Sequence, residues 1–310
     1  MVVRQVLLNA ARSERLKRMV STLPISSGIV TRFVAGETPD EAVQAARELV
    51  DTGLQVSLDH LGEDTHDRAQ AHKAAKSYLV LLERLSRAGL ARGADVSLKL
   101  SAIGQALGAD GDKIATDHAA EIAQAARNVG ATMTIDMEDH TTTDVVLGIV
   151  QELRRGHPDV GVAVQSYLRR TEEDCRDLAY EGSRVRLCKG AYKEPPSVAF
   201  QSDSEVDRSF VRCLKILISS QAYPMIATHD PRLIEIAGAL AMRHGRQHGS
   251  YEYQMLYGIR PQEQQRLADL GDTVRVYVPY GRQWYPYLMR RLAERPANTA
   301  FFLRSLVTRT

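Results

Sequence analysis

The sequence has little that would bind nucleic acid, cross a membrane or form disulfides. Its 40 basic and 38 acidic side chains leave a net charge of +2 over 310 residues, without the basic excess of nucleic-acid-binding domains. No apolar run approaches the roughly 18 residues of a membrane-spanning helix, and the charged N-terminus lacks the apolar core of a signal peptide. Cys175, Cys188 and Cys213 form no CxxC pair, which favours a reducing, cytoplasmic setting.

Several common catalytic motifs are also absent. No GxGxxG follows a predicted strand and no GxxxxGK[ST] occurs, so neither a Rossmann site nor a P-loop is expected. HExxH and GxSxG are missing, which argues against a zinc protease or a nucleophile elbow. His60, Glu63, Asp64, His66 and Asp67 crowd one segment, but they lack a defined ligand spacing, and we expect no metal there.

What the chain does contain is an alternation of short, apolar, β-rich runs with segments of helical spacing. The eight runs are 54–58, 96–100, 132–137, 160–165, 185–188, 225–228, 250–256 and 274–279. Strands that alternate with helices indicate βαβ units and a parallel sheet. Eight such units fit a closed (β/α)8 TIM-type barrel of the α/β class better than an open sheet, with a two-domain α/β protein as the alternative.

The first 50 residues precede this alternation and form a predicted helical extension. Helical patterns cover residues 13–23 and Pro39–Val50, and Thr38 is suited to be the N-cap of the second. No repeat, low-complexity stretch or flexible linker interrupts the chain. We therefore expect one domain over 1–310, with the extension at 1–50 and the barrel and C-terminal helix at 51–310.

Polar or ionisable side chains occur near the end of almost every predicted strand, where barrel enzymes carry their active sites. They include Asp59, Lys99, Asp136, Gln165, Arg186, Lys189, Thr228, His229, Gln254 and Tyr277. Such groups cost desolvation energy unless they are paired, so the pattern favours an enzyme over a non-catalytic binding module.

Basic residues among them could hold an anion. Arg186 and Lys189, with the backbone of Gly190 and Ala191, could hold a phosphate-bearing cofactor, because glycine permits close backbone approach. The alternative is that Lys189 only pairs with an acidic neighbour such as Asp136.

The last predicted helix carries a second cationic pattern. Tyr287, Arg290, Arg291 and Glu294 are spaced i, i+3, i+4 and i+7, which brings them close to one helix face. Two adjacent arginines can grip a carboxylate through several hydrogen bonds. The same pattern also fits a solvated basic face.

Segments spread along most of the chain resemble the proline dehydrogenase family, in particular its small monofunctional bacterial members. They are RFVAGE (32–37), LDHLGE (58–63), SLKLSA (97–102), IDME (135–138), VQSY (164–167), RLCKGAY (186–192), ATHD (227–230), EYQMLYG (252–258), RVYVPYG (275–281) and YLMRRLAE (287–294). The resemblance implies a distorted (β/α)8 barrel that holds FAD without a covalent bond. It also implies oxidation of L-proline to 1-pyrroline-5-carboxylate, the first step of proline degradation to glutamate, with electrons passed to a quinone.

The resemblance also implies roles for individual residues. Asp136 and Arg186 would be the catalytic pair beside the flavin. A separate hypothesis rests on the place of Glu63 in the loop after the first predicted strand: this loop would fold over the site as a gate, with Glu63 paired to Arg291, and the alternative is a solvated loop acid. The predicted FAD contacts are Met137, Gln165, Lys189, Gly190, Ala191, Thr228 and His229. The predicted substrate contacts are Lys99, Arg290 and Arg291 for the carboxylate, Leu187, Tyr277 and Tyr287 for the ring, and Glu294 for the arginine face.

Two other activities remain open at this stage. A hydroxyproline dehydrogenase would share the site, although Tyr277 would crowd a ring hydroxyl. A barrel aldolase would use Lys99 as a Schiff base, which requires that lysine to lose its proton.

The chain also departs from larger and more typical members of the family. Cys188 stands where the family often has an aliphatic residue, and we expect it to act as a small hydrophobe. Because the chain has 310 residues, we expect no second catalytic domain in it, and we also expect no DNA-binding arm. We expect a cytoplasmic enzyme in transient contact with the inner-membrane surface.

Overall fold

Eight parallel strands close into a barrel in chain order in the computed structural model, which describes residues 30–62 and 65–294. The strands are β1 (Gln55–His60), β2 (Asp95–Leu98), β3 (Thr132–Ile135), β4 (Gly161–Gln165), β5 (Arg184–Cys188), β6 (Tyr223–Ala227), β7 (Glu252–Leu256) and β8 (Val274–Tyr280). Strand β1 pairs with both β2 and β8, which closes the ring. The barrel prediction is confirmed, and each of the eight predicted runs overlaps one strand.

Among the described residues, two α-helices precede the first strand and one α-helix follows each strand around the barrel. They are α1 (Val30–Phe33), α2 (Pro39–Val50), α3 (Arg68–Arg87), α4 (Gly111–Val129), α5 (Thr143–Arg154), α6 (Thr171–Asp177), α7 (Asp203–Ser219), α8 (Pro231–Arg243), α9 (Pro261–Asp269) and α10 (Trp284–Glu294). Helix α2 begins as predicted, because Thr38 and Glu41 form a capping box. The predicted helix at 13–23 lies outside the described residues. Of the helices described, none has the length and apolarity needed to cross a bilayer.

The main core lies between the barrel and its outer helices. The buried face of α3 carries Tyr78, Leu81, Leu82 and Leu85, whose spacing follows the helical period. These side chains pack in one cluster with strand residues such as Leu58. Alternation along each strand then leaves the opposite face pointing into the barrel.

The barrel interior is polar, and its charges are paired. On β8, Arg275 donates from Nε and Nη2 to the Glu252 carboxylate on β7, at 2.7 and 2.9 Å. Burial opposes the ionisation of Glu252, but Arg275 outweighs it and lowers the pKa of Glu252 to about 2. On β2, Asp95 accepts hydrogen bonds from the hydroxyls of Ser57 (2.7 Å) and Thr134 (3.0 Å). A buried charge is tolerated only with such partners.

Helix α10 departs from the regular barrel arrangement. Its Trp284 and Leu288 belong to a second apolar cluster with Phe33, Leu61 and Ile259, separate from the main core. Leu61 follows β1 and Ile259 follows β7, so α10 packs on segments that leave the carboxyl ends of the strands. This placement accounts for the predicted distortion.

Candidate active site

Arg186 on β5 is the centre of the polar groups at the carboxyl end of the barrel. Its Nη1 donates to Asp136 Oδ1 at 2.5 Å and to Ser97 Oγ at 2.7 Å. Its Nε donates to Gln254 Oε1 at 2.6 Å, and its Nη2 donates to Ser57 Oγ at 3.2 Å. The residue is only 4% exposed. These contacts fix the plane of the guanidinium from several sides of the barrel.

The charge of Arg186 is balanced by two carboxylates. Its Nη2 lies 3.4 Å from Asp95 Oδ2, in addition to the contact with Asp136. Burial opposes the charged form, but Asp136 and Asp95 outweigh it and raise the pKa of Arg186. The guanidinium is therefore a fixed positive charge at the mouth of the barrel.

Tyr277 on β8 completes the coordination of Asp136. Its hydroxyl donates to Asp136 Oδ2 at 2.7 Å, and its ring centroid lies 5.4 Å from Arg186 Cζ. Burial first, and then the Asp136 carboxylate, raise the pKa of Tyr277, which keeps the hydroxyl protonated. Since Arg186 and Ser97 donate to Oδ1 and Tyr277 to Oδ2, both oxygens of Asp136 accept hydrogen bonds.

Lys99 follows β2 and pairs with Asp59, an acid for which no specific role was predicted. Its Nζ lies 3.5 Å from Asp59 Oδ2 at the end of β1. Tyr78 on α3 also lies next to Asp59. Its hydroxyl donates to Ser97 O at 2.9 Å and lies 3.4 Å from Asp59 Oδ1. The only signal in the sequence for Asp59 was its place at a strand end.

Lys189 pairs with two acids, neither of which is Asp136. Its Nζ lies 2.6 Å from Asp207 Oδ1 and 3.2 Å from Asp230 Oδ2. Lys189 therefore does pair with acidic neighbours, as the alternative predicted, but the partner named there was wrong, because Asp136 is held by Arg186 and Tyr277. Burial opposes the ionisation of Asp230, but hydrogen bonds from Arg232 and Lys189 lower the pKa of Asp230 to about 2.

The turn after β5 requires glycine at position 190. Gly190 has a φ of 114°, and a Cβ there would lie 2.4 Å from the ring of Tyr167. The Tyr167 N–H also donates to Lys189 O at 2.9 Å. The turn therefore packs against Tyr167 and presents backbone rather than a side chain at this point.

The other predicted cofactor contacts lie at the ends of neighbouring strands. Gln165 on β4 donates from Nε2 to Glu138 O at 2.7 Å, close to the buried Met137. After β6, the Thr228 hydroxyl accepts from Asp230 N–H at 3.1 Å, and His229 Nε2 accepts from Leu256 N–H at 2.9 Å. The structure thus gathers these residues around the same end of the barrel.

A buried acid in this region was missed altogether. Glu194 Oε1 accepts from His140 N–H at 2.9 Å and from the Tyr167 hydroxyl at 3.2 Å, and Oε2 pairs with His140 Nδ1. These three residues lie far apart in the sequence, so no local pattern could have indicated that Glu194 contacts the other two.

The remaining predicted residues are only partly described. Glu63 and the side chains of Arg290 and Glu294 lie outside the described residues. On α10, Arg291 Cζ lies 5.3 Å from the centroid of the buried Tyr287 ring, as expected for residues four apart on one face.

On β5, Leu187 is buried and Cys188 is partly buried. Leu187 packs in the main core, and alternation along the strand places it on the face opposite to Arg186, away from the barrel interior where it was predicted to contact the substrate ring. Burial raises the pKa of the Cys188 thiol to about 12, so it stays protonated at neutral pH, in line with its expected role as a small hydrophobe.

Known proteins resemble this chain over nearly its whole length. A family model described as Proline dehydrogenase matches residues 42–304. Proline dehydrogenase 1 of Bacillus subtilis (strain 168) is 35% identical over 306 residues, which cover 99% of each chain. Proline dehydrogenase of Deinococcus radiodurans is 38% identical over 281 residues, which cover 90% of each chain.

A solved structure shows the same fold. The crystal structure of proline utilization A (PutA) from Bdellovibrio bacteriovorus matches with a TM-score of 0.77 at 23% identity, over 93% of this chain and 38% of that one. The family match and the two relatives together establish that this chain belongs to the proline dehydrogenase family.

Proposed function

We propose that this enzyme oxidises L-proline to 1-pyrroline-5-carboxylate with a non-covalent FAD and passes the electrons to a quinone. The observation that carries the proposal is the fixed guanidinium of Arg186, held by Asp136 beside Tyr277 at the carboxyl end of the barrel. The named activity of the relatives at 35–38% identity supports the same reaction.

The residues at the barrel mouth suit a flavin. Gly190 has no Cβ, and the packing of Tyr167 leaves no room for one, so the turn offers its backbone to a ligand. Lys189 and Arg186 supply positive charge nearby, and Thr228 supplies a hydroxyl. The residues proposed to hold FAD are Met137, Gln165, Lys189, Gly190, Ala191, Thr228 and His229. When bound, the flavin would accept the hydride equivalent, while the protein supplies orientation and electrostatics.

Asp136 would orient Arg186 rather than take a proton from the substrate. Both of its oxygens already accept hydrogen bonds, from Arg186, Ser97 and Tyr277. Arg186, preorganised in this way, would stabilise negative charge that develops beside it during the reaction. The proline amine would then lose its proton to solvent before it is oxidised.

The substrate carboxylate would be held by Lys99 with Arg290 and Arg291, and the ring by Tyr277 and Tyr287. Glu294 would hold in place the helix face that carries Arg290 and Arg291. Glu63 would close over the site by pairing with Arg291. Because Asp136 fixes the Tyr277 hydroxyl, that ring cannot easily move away from an added substituent. We therefore propose proline, rather than hydroxyproline, as the preferred substrate.

The contact between Lys99 and Asp59 bears on the aldolase alternative. Lys99 forms an ion pair with the Asp59 carboxylate at 3.5 Å, and a lysine held in an ion pair suits anion binding better than nucleophilic attack. This favours a role in binding over a Schiff base. Quinone reduction would further require a transient contact with a membrane surface.

Substitution of Lys99 tests the proposal. For Lys99→Met we expect the KM for L-proline to rise at least about tenfold, the equivalent of one lost charged hydrogen bond, with FAD content unchanged. The matched control is Lys113→Met, because Lys113 is exposed and pairs only locally with Asp117. Borohydride trapping of a substrate on Lys99, in protein that contains no flavin, would instead establish the aldolase.

A further inference from the structure

We propose that Glu194 is a positioning residue that holds the cofactor-binding turn Lys189–Gly190–Ala191 against the loops that follow β3 and β4. The inference rests on the proposed use of FAD and assigns a role to a residue outside the predicted site. The hydrogen-bond partners of the Glu194 carboxylate are Tyr167 and His140, neither of which is a predicted substrate contact. Glu194 therefore acts through these two residues.

The Glu194 carboxylate receives hydrogen bonds from two other loops. It is 8% exposed, and its Oε1 accepts from His140 N–H at 2.9 Å and from the Tyr167 hydroxyl at 3.2 Å. Its Oε2 pairs with His140 Nδ1. A carboxylate is an acceptor only, so Nδ1 carries the proton of the imidazole in this arrangement. Burial of such a group is tolerated because these donors satisfy it.

Tyr167 transmits this contact to the turn. The Tyr167 ring occupies the position that a Cβ of residue 190 would need, at 2.4 Å. Its backbone N–H donates to Lys189 O at 2.9 Å, and its carbonyl accepts from Phe200 N–H at 2.8 Å. The Glu194 carboxylate therefore fixes the Tyr167 hydroxyl, and the Tyr167 ring in turn fixes the place of Gly190.

His140 links the Glu194 carboxylate to the loop after β3, in which it lies. That loop also contains Met137 and Glu138, and Glu138 O accepts from Gln165 Nε2 at 2.7 Å. The Glu138 carboxylate accepts from Ser101 N–H and Oγ at 3.2 and 2.7 Å, which ties the loop to the segment after β2 as well. Glu194 thus joins the loops after β3 and β5, which carry proposed FAD contacts, to the loop after β4, which begins directly after Gln165.

A similar cluster at the other end of the barrel provides a matched control. Asp272 Oδ1 accepts from the Tyr251 hydroxyl at 2.9 Å and lies 3.4 Å from His248 Nδ1. Tyr251 and Asp272 precede β7 and β8, so this tyrosine–carboxylate–histidine group lies at the amino ends of the strands. It has the same chemistry but no route to the turn after β5.

The test is the dissociation constant of FAD, measured by titrating the apoprotein, together with the visible circular dichroism of the bound flavin. For Glu194→Ala we expect the Kd to rise about tenfold or more and the dichroism at saturating FAD to change, because Tyr167 and His140 lose their shared acceptor. Glu194→Gln should stay within about threefold of the parent Kd, because an amide can accept from Tyr167 and donate to His140 after a tautomer change.

Two further variants make the outcome decisive. Tyr167→Phe keeps the ring against Gly190 but removes the hydrogen bonds of the hydroxyl with Glu194 and with the Tyr192 backbone, while His140 keeps its acceptor. Its Kd should therefore fall between those of the parent and Glu194→Ala. Asp272→Ala should lower thermal stability and leave both flavin readouts unchanged.

The proposal is overturned if Tyr167→Phe and Glu194→Ala bind FAD like the parent protein, or if Asp272→Ala weakens binding equally. Should Glu194→Ala fail to fold, an unchanged Kd and dichroism in Tyr167→Phe still overturn it. A parent protein that binds no FAD at all contradicts the proposed function itself.

Discussion

The buried contacts of a residue determine whether its substitution affects only flavin binding and turnover or also the stability of the fold. Arg186 is buried between Asp95 and Asp136, so its removal leaves two carboxylates without their cation. On the sequence alone, Arg186→Ala would be expected to reduce flavin affinity or turnover far more than stability. The structure changes this expectation, because uncompensated buried charge is also costly to the fold.

We predict that Arg186→Met lowers the free energy of unfolding by about 3 kcal/mol or more at neutral pH, in addition to abolishing turnover. Equilibrium urea unfolding measures this cost. Arg68→Met is the control, since Arg68 forms an exposed pair with Asp110 and its loss should cost less than about 1 kcal/mol. Equal stability of the two variants would show that the Arg186 charge is not the buried anchor described here.

The conformation and packing of Gly190 lead to a second prediction for a single residue. Gly190→Ala should cost about 3 kcal/mol in stability and weaken FAD binding, because it combines a positive φ with a clash against Tyr167. Gly182→Ala is the control, since Gly182 has a φ of 75° but no atom within 4 Å of an added Cβ. That variant should cost only about 1 kcal/mol and leave FAD binding intact. Similar effects in both variants would exclude the clash with Tyr167 as the cause.

At the scale of elements, the strands and helices of the barrel could be predicted but the placement of α10 could not. Strands such as β4 have buried β-branched residues, and helices such as α3 show an apolar stripe at the helical period, so local sequence is sufficient. Helix α10 has an equally clear pattern, yet its packing depends on Phe33, Leu61 and Ile259, which lie far away in the sequence. The Glu194 cluster was missed for the same reason.

The separate cluster under α10 predicts a local response to a core substitution. Leu288→Ala should cost about 2–5 kcal/mol in the stability of that helix and speed the hydrogen exchange of α10 amides, while the strands keep their protection. Leu288→Ala should also raise the KM for L-proline, because Tyr287 and Arg291, two proposed substrate contacts, belong to the same helix. Leu58→Ala, in the main core, is the control and should reduce protection in the strands. Loss of strand protection in Leu288→Ala would contradict the separation of the two clusters.

Across the whole molecule, one chain of hydrogen bonds connects the middle of the barrel to the site at its mouth. Arg275 donates to Glu252, Gln254 donates to Glu252 Oε1 at 2.5 Å, and Gln254 Oε1 accepts from Arg186. Because the Glu252 carboxylate can only accept, it fixes the orientation of the Gln254 amide, whose oxygen then faces Arg186. Acids at strand ends could be predicted from the sequence, but their pairing across the barrel required the three-dimensional register.

The buried ion pair of Arg275 and Glu252 makes the stability of the barrel sensitive to acid. The pKa of Glu252 falls from its ordinary 4.5 to about 2 in the fold, so its contribution is complete above about pH 4.5 and is lost as the pH falls towards 2. Glu252→Gln should therefore lower the free energy of unfolding by about 3 kcal/mol near pH 7, since Arg275 loses its carboxylate. The difference between parent and variant should shrink below pH 4.5, as urea unfolding would show. A difference that stays constant from neutral to acid pH would contradict the ionised pair.

The most direct test of the proposed activity is the visible absorption spectrum of the purified protein before and after anaerobic addition of L-proline. We predict flavin bands that bleach on addition of L-proline, and bleach more slowly with hydroxyproline because Asp136 holds Tyr277 in place. Flavin bands that L-proline leaves unchanged would contradict the assigned substrate. A protein that remains colourless after added FAD would contradict the flavin chemistry altogether.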